Sequence, residues 1–152
     1  MKRVFYLVIC TALFIFSGCT KEEEKFNFND IWWKGDTYGG NTVMHIKFIS
    51  DTEFKFENEG KGDRASFLSG TGTYSRNGNS IVMNFETRTI DLAPAHITLD
   101  SGVWDFFPTN KEEAHDAKLT IKGTHWVSMG SVNTDPKEWE KTLTYDFPKN
   151  GW

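Results

Sequence analysis

Beyond residue 19 the 152-residue chain has no cysteine, since its two, Cys10 and Cys19, both stand near the N-terminus. Disulfide staples are excluded for the remainder, and a domain built there must hold together by core packing alone. Excess basic charge is also missing, with 17 Lys and Arg against 21 Asp and Glu and a formal net charge of -4. Such a surface has little to neutralise a phosphate backbone, which excludes nucleic acid as a partner. The four histidines, His45, His96, His115 and His125, show none of the HxH, HxxxH or HExxH spacings of a metal site. No GxSxG, Walker or dinucleotide motif is present, and no pattern marks out a pair of acids for glycoside hydrolysis, whose separation only a fold can set. Metal, cofactor and enzymatic activity are accordingly not expected. One long apolar run exists, Val4 to Phe16, and it falls short of the about 20 residues a helix needs to span a bilayer.

Lys2 and Arg3 precede that run, and Phe16-Ser17-Gly18-Cys19 ends it. A basic start, a short apolar centre and small residues before a cleavage point make up a secretory signal. Cys10 follows the bulky Ile9 and does not suit such cleavage. Phe16 to Cys19 resembles the lipobox of bacterial lipoproteins, in which the cysteine is acylated and becomes the new N-terminus. The resemblance implies removal of residues 1–18 and a lipid anchor at Cys19. The bilayer is then the first expected partner, held stably because each acyl methylene adds to the binding. Lys21-Glu22-Glu23-Glu24 comes next. It resembles the acidic export signal of surface-exposed Bacteroidetes lipoproteins, which implies an outer-membrane anchor on the exterior face. The same charges also suit a solvated tether, residues 19–27, that keeps a domain off the headgroups.

The rest of the chain alternates in steps of two. In Thr42 to Phe48, Met44, Ile46 and Phe48 share one face while His45 and Lys47 share the other, the pattern of a half-buried strand. Glu53 to Glu57, Ile81 to Phe85, Ala95 to Leu99, Lys118 to Lys122 and Trp139 to Phe147 repeat it. No comparable stretch after residue 19 carries a 3.6-residue apolar stripe, and eight to ten strands are expected. Asn77-Gly78 between two of them predicts a tight hairpin of type I′. Asp135-Pro136-Lys137-Glu138 carries the signals of a helical turn before the last strand. Short connections favour pairing of sequential strands, and closure removes the edges that so long a meander would expose.

Trp32 and Trp33, then Gly70-Thr71-Gly72-Thr73-Tyr74 running through Asn77-Gly78 into Ile81 to Phe85, resemble the lipocalin-like domains of small Bacteroidetes lipoproteins. The resemblance covers most of residues 28 to 148 and implies one all-β domain, an antiparallel up-and-down barrel of about eight strands, with a tail over residues 149–152. Gly70 and Gly72 share a face with Leu68 and Tyr74, the expected inward one, where glycine kinks a strand or leaves interior volume.

Six tryptophans and 13 phenylalanines supply more rings than the strand faces require. Phe48, Phe56, Phe85, Leu119 and Phe147 belong to faces that must be buried. Trp104, with Phe106 and Phe107 before Pro108, follows Ser101-Gly102 and reads as lying between strands. There it either rims a pocket or plugs one end of the barrel. Trp33, Tyr38 and Trp126 are the other rim candidates, so a ligand site is expected at Trp33, Tyr38, Trp104 and Trp126. Glu112, Glu113, His115 and Asp116 form an acidic cluster that reads as a hydrated loop. The functions in view are a barrel binding a small hydrophobic or glycan-like ligand and, alternatively, a non-catalytic docking or accessory module of a surface assembly. An enzyme ranks below both.

Replacing Cys19 by Ser is expected to move the protein from the membrane fraction to the soluble or unprocessed pool, and unchanged membrane retention on fractionation would contradict the anchor. With acylation intact, replacing Glu22, Glu23 and Glu24 by Ala should reduce cleavage by externally applied protease if these residues direct export, and should leave it unaltered if they only form a tether.

Overall fold

The computed structural model describes residues 26–36, 42–60, 67–88, 95–129, 132–133 and 136–151. The expectations placed on the signal, Cys19, the acidic tether and Tyr38 lie outside these residues, and of Trp126 only the backbone is described.

The alternating segments form β1 (Trp32–Asp36), β2 (Thr42–Phe48), β3 (Glu53–Gly60), β4 (Phe67–Asn77), β5 (Ser80–Arg88), β6 (Ala95–Trp104), β7 (Leu119–Met129), β8 (Val132–Asn133) and β9 (Lys137–Tyr145). Each of β1 to β7 is antiparallel to the next, β7 pairs with β9, and β9 returns to β1. The result is a closed eight-stranded up-and-down barrel, with the two-residue β8 a spur on the end of β7. Closure follows from inner faces that meet in register. Trp33 lies opposite Ile46, Ile46 opposite Phe56, Tyr74 opposite Met83, Phe85 opposite Leu99, and Leu119 opposite Leu143.

Gly70 and Gly72 do face inward, and neighbouring rings take up the room they leave. A β-carbon on Gly70 would stand 2.9 Å from the Phe85 ring, and one on Gly72 would stand 2.5 Å from the Phe54 ring and 2.9 Å from the Asn84 carbonyl oxygen. Phe85 fills this space between Phe54 and Phe56, with ring centroids at 5.8 and 4.9 Å.

The β4–β5 hairpin forms where it was expected but with a different turn. Asn77 pairs with Ser80, so Gly78 and Asn79 are the central residues. Gly78 alone of the two has positive φ, at 59°, the type II′ pattern with glycine first rather than type I′. Trp104 also departs from expectation, since β6 runs without a break to Trp104. A bulge at Asp100 shifts its register against β7 by one residue. Inward positions therefore pass from Ile97 and Leu99 to Gly102 and Trp104, a change of phase that simple alternation conceals. Lys137 and Glu138 belong to β9 and not to a helical turn. The strand's pairing with β7, which puts Lys137 opposite His125, outweighs the local capping signals.

Two short helices and a 3-10 turn close one end. The acidic cluster is not a loop but α1 (Lys111–Asp116), capped by Asn110, whose side chain accepts from the Glu113 amide. Glu113 in turn accepts from the Thr109 amide and hydroxyl, at 2.7 and 2.8 Å, a reciprocal cap that engages the carboxylate. Ala114 and Ala117 are fully buried beneath α1. The 3-10 turn Phe28–Asp30 lays Phe28 against Phe48, Trp104 and Phe107. α2 (Phe147–Asn150) folds back along the wall, where Asn150 accepts from the Trp32 amide at 2.7 Å and donates to the Trp32 carbonyl at 2.9 Å.

In thermal or denaturant melts, Phe85→Ala is expected to cost about 3 to 5 kcal/mol and Gly72→Ala about 1 to 3 kcal/mol through overpacking. Thr144→Ala, on the exposed face of β9, should cost under about 1 kcal/mol. Equal melting of all three variants would contradict the assigned facing.

Candidate functional site

The barrel's ends differ. At one lie the β2–β3, β4–β5 and β6–β7 connections together with the 3-10 turn, α1 and α2, and aromatic side chains seal it. Trp33 and Trp104, both expected at a pocket rim, are here 0% and 1% exposed. They meet edge to face with ring centroids 4.3 Å apart. Phe48 and Phe107 complete the layer against Trp104 at 6.0 Å each, and the Arg76 guanidinium covers Phe107 at 4.0 Å. Among the described residues neither indole N–H has a conventional acceptor. Edge-to-face packing brings indole edges against π faces, which act as weak acceptors. The two tryptophans are therefore part of a plug and not of a rim.

Toward the other end, where β1 connects to β2, β3 to β4, β5 to β6 and β7 to β9, the described residues line a cavity of about 70 Å³. Thr42, Met44, Phe56, Asn58, Ile97, His125 and Trp139 line it. Alternation places them: Thr42 and Met44 continue the inward face of Ile46 toward the mouth, as Asn58 continues that of Phe54 and Phe56. Trp139 reaches across Gly123, where a β-carbon would stand 2.9 Å from its ring. The lining is mostly apolar with three polar groups, the usual make-up of a ligand pocket. Its volume is well below the roughly 300–1,000 Å³ of a site that encloses a drug-sized molecule. Among the described residues the Asn58 side-chain oxygen is buried without a hydrogen-bond partner. Burial lowers the His125 pKa below its ordinary 6.5, because desolvation disfavours the imidazolium.

A second feature lies on the outer wall. His45, on the outward face of β2, is nonetheless buried because Asp146 and α2 cover it. The Asp146 carboxylate, 1% exposed, accepts from His45 Nδ1 at 2.7 Å and lies 3.6 Å from the Lys34 ammonium. His45 Nε2 points to Glu59 at 3.8 Å. Beside them Glu57 pairs with Lys149 and with Lys55, and Lys149 sits 4.5 Å over the Trp32 ring. Burial on its own would raise the Glu57 carboxyl, but the two ammonium partners outweigh it and hold the pKa below the ordinary value. Lys34, His45, Glu59, Asp146 and Lys149 border an open groove of about 730 Å³. The network clips α2 to the barrel, since Asp146 and Lys149 come from the C-terminal segment while His45 and Glu57 come from the wall.

Among the described residues no three or more His, Cys, Asp or Glu side chains stand together as metal ligands, and no helix is long and apolar enough to cross a membrane. Comparison of the chain with family models, curated proteins and solved structures finds no match. The class defined by the fold is thus a closed eight-stranded barrel with an aromatic plug at one end and a small cavity toward the other. None of the seven lining residues was singled out as a ligand residue in the sequence, because strand alternation marks inward positions without telling which of them line a cavity.

Because the folded state holds His125 neutral while the unfolded chain protonates near pH 6.5, the unfolded state binds more protons below that pH. Stability should fall as pH drops through about 6.5 and level off below the depressed folded pKa. His125→Gln should flatten this part of the melting temperature against pH profile, and an unaltered slope would show that the ring is fully solvated.

Proposed function

We propose that the protein is a lipid-anchored, extracytoplasmic binding barrel whose open mouth takes part of a small hydrophobic or glycan-like ligand. The observation that carries this reading is the mouth cavity, lined by three apolar side chains, Met44, Phe56 and Ile97, and a half-buried tryptophan, Trp139, with the polar groups of Thr42, Asn58 and His125 among them. Trp139 takes the role first assigned to Trp33 and Trp104, and Trp126 stands on the neighbouring strand β7, opposite His96. Binding there is non-covalent, apolar contact and ring stacking contributing most and the polar groups fixing orientation.

The anchor fits this orientation. Phe26 leaves the barrel at the plugged end, beside Tyr145 and Asn150. Seven residue steps from Cys19 to Phe26 reach at most roughly 25 Å. An acylated Cys19 would hold the plug toward the outer membrane and leave the mouth facing away from it, open to ligands outside the cell.

The smallness of the cavity supports a second reading, a docking or accessory module whose wall, not its interior, meets a protein partner. Val82 and Val103, 65% and 51% exposed on the neighbouring strands β5 and β6, would supply the apolar contact.

Titration with fatty acids, bile-type sterols and oligosaccharides should shift tryptophan fluorescence, and Trp139→Phe should remove most of the shift. A flat response across that library would overturn the ligand-binding reading. Loss of a partner on Val82→Asp with Val103→Asp, with ligand titrations flat, would establish docking.

A further inference from the structure

Arg76 is an unusual residue for its place. Inward positions on β4 pass from Gly72 and Tyr74 to Arg76, which brings a guanidinium over the edge of the aromatic plug, 4.0 Å from the Phe107 ring centroid. Its Nη1 donates to the Gly78 carbonyl at 3.2 Å. Among the described residues no carboxylate pairs with this exposed side chain, so a donor fork that suits phosphate and carboxylate has no anion on it. Asp51 lies on the same groove, an open space of about 490 Å³ that Phe28, Asn29, Tyr74 and Phe107 also border. The two opposite charges share it without forming an ion pair. Both act on the Tyr74 phenol: burial raises its pKa, Asp51 adds to the rise and Arg76 opposes it. The turn that carries Asp51 is fixed, since Ser50 Oγ accepts from the Thr52 and Glu53 amides at 3.3 and 3.0 Å and the Ser50 carbonyl accepts from the Tyr74 hydroxyl at 2.9 Å.

We propose that this groove is a second binding site, separate from the mouth, and that it takes a zwitterionic phosphodiester of the phosphoethanolamine type. The phosphate meets Arg76, whose fork can give parallel N–H donors to neighbouring oxygens. The ammonium meets Asp51, and the Phe28 and Phe107 rings take the methylenes of the same group. A plain anion would bring its charge against Asp51 and a plain amine against Arg76, so the groove selects a group that carries both signs. Holding the two charges on separate elements, β4 and the β2–β3 turn, fixes the direction in which that group lies. It has two sources, the headgroup of a bilayer lipid and a free headgroup in solution, and location favours the first. Asn27, one residue after Phe26, also borders the groove, so the chain that leads back to Cys19 departs beside it. Ile49 and Phe106, 43% and 38% exposed, adjoin the Ser50-Asp51 turn and Phe107 in the chain, where they would enter the lipid interface around a bound headgroup.

The test uses the full chain in phosphatidylcholine nanodiscs and saturation-transfer NMR with glycerophosphoethanolamine, glycerophosphocholine, dimethyl phosphate and ethanolamine. Glycerophosphoethanolamine should bind. The other three, which lack an N–H for Asp51, the ammonium or the phosphate, should each bind on the order of tenfold more weakly, the scale of one hydrogen bond to a charged group. Asp51→Asn should erase the preference over dimethyl phosphate, and Arg76→Gln the preference over ethanolamine. Because Arg76 also covers Phe107, Asp51→Asn, in an exposed turn, is the cleaner variant and should leave the melting temperature unaltered. Phosphatidylethanolamine added to the nanodisc should slow amide exchange at residues 50–52 and 76–79, and Asp51→Asn should abolish the slowing; unaltered exchange together with binding of the free headgroup assigns the site to a soluble ligand. Equal binding of all four probes, or a preference that survives in Asp51→Asn, overturns the site. So does absence of binding by all four with exchange unaltered by the added lipid. Retention of the chain on the nanodiscs reports the anchor separately, and the fluorescence titration reports the mouth.

Discussion

The contact of Trp33 with Trp104 is the one on which the rest of the interior depends. It runs from β1 to the end of β6, nearly across the barrel, with centroids 4.3 Å apart. Two indoles meeting edge to face fill the width of an eight-stranded barrel at that level, where side chains alone can occupy the interior. Phe28 then lies over them and Phe107 over Phe28, at 4.6 Å. With no cysteine beyond residue 19 to stiffen this end, aromatic burial supplies what a disulfide staple would in a small disulfide-bonded domain. Because the plug consumes one half of the interior, cavity volume is confined to the other.

The bulge in β6 makes that contact possible. Were Asp100 in regular pairing and not a bulge, strict alternation from Ile97 and Leu99 would send Trp104 to solvent and Val103 inward. With it, Gly102 and Trp104 turn in and Val103 turns out. The small side of the same strand matters as well: a β-carbon on Gly102 would stand 2.9 Å from Ile81 and 3.1 Å from Leu119. Large and small inward residues thus interlock between neighbouring strands at the plugged end.

Charge is organised on the outside in a similar division of labour. His45, Glu57 and Asp146 are buried although they face outward, because α2 folds over them. Taking such groups from water is tolerable only when each finds a partner, and the Asp146 to His45 and Lys149 to Glu57 pairs meet that condition. The Asn150 amide meanwhile substitutes for a strand neighbour at Trp32. The C-terminal segment is therefore part of the fold, extending the ordered chain past the tail boundary at residue 149.

Strand identity and closure were legible in the sequence, because period-two alternation and the Asn-Gly signal are local properties and an unpaired meander of this length has costly edges. The inward faces of β2, β3, β5 and β9 follow directly from Met44, Phe54, Phe85 and Leu143. What alternation could not reveal is any property set by residues far apart in the chain. The bulge that turns Trp104 inward depends on how β6 registers against β7, and the burial of His45 depends on Asp146, 101 residues later. The apparent surplus of aromatic residues had the same ambiguity, since counting rings does not show whether they pack on one another or line a space. Only the closed barrel, by fixing which inward side chains meet across it, made Trp33 and Trp104 a plug and left Asn58 and Trp139 at the mouth.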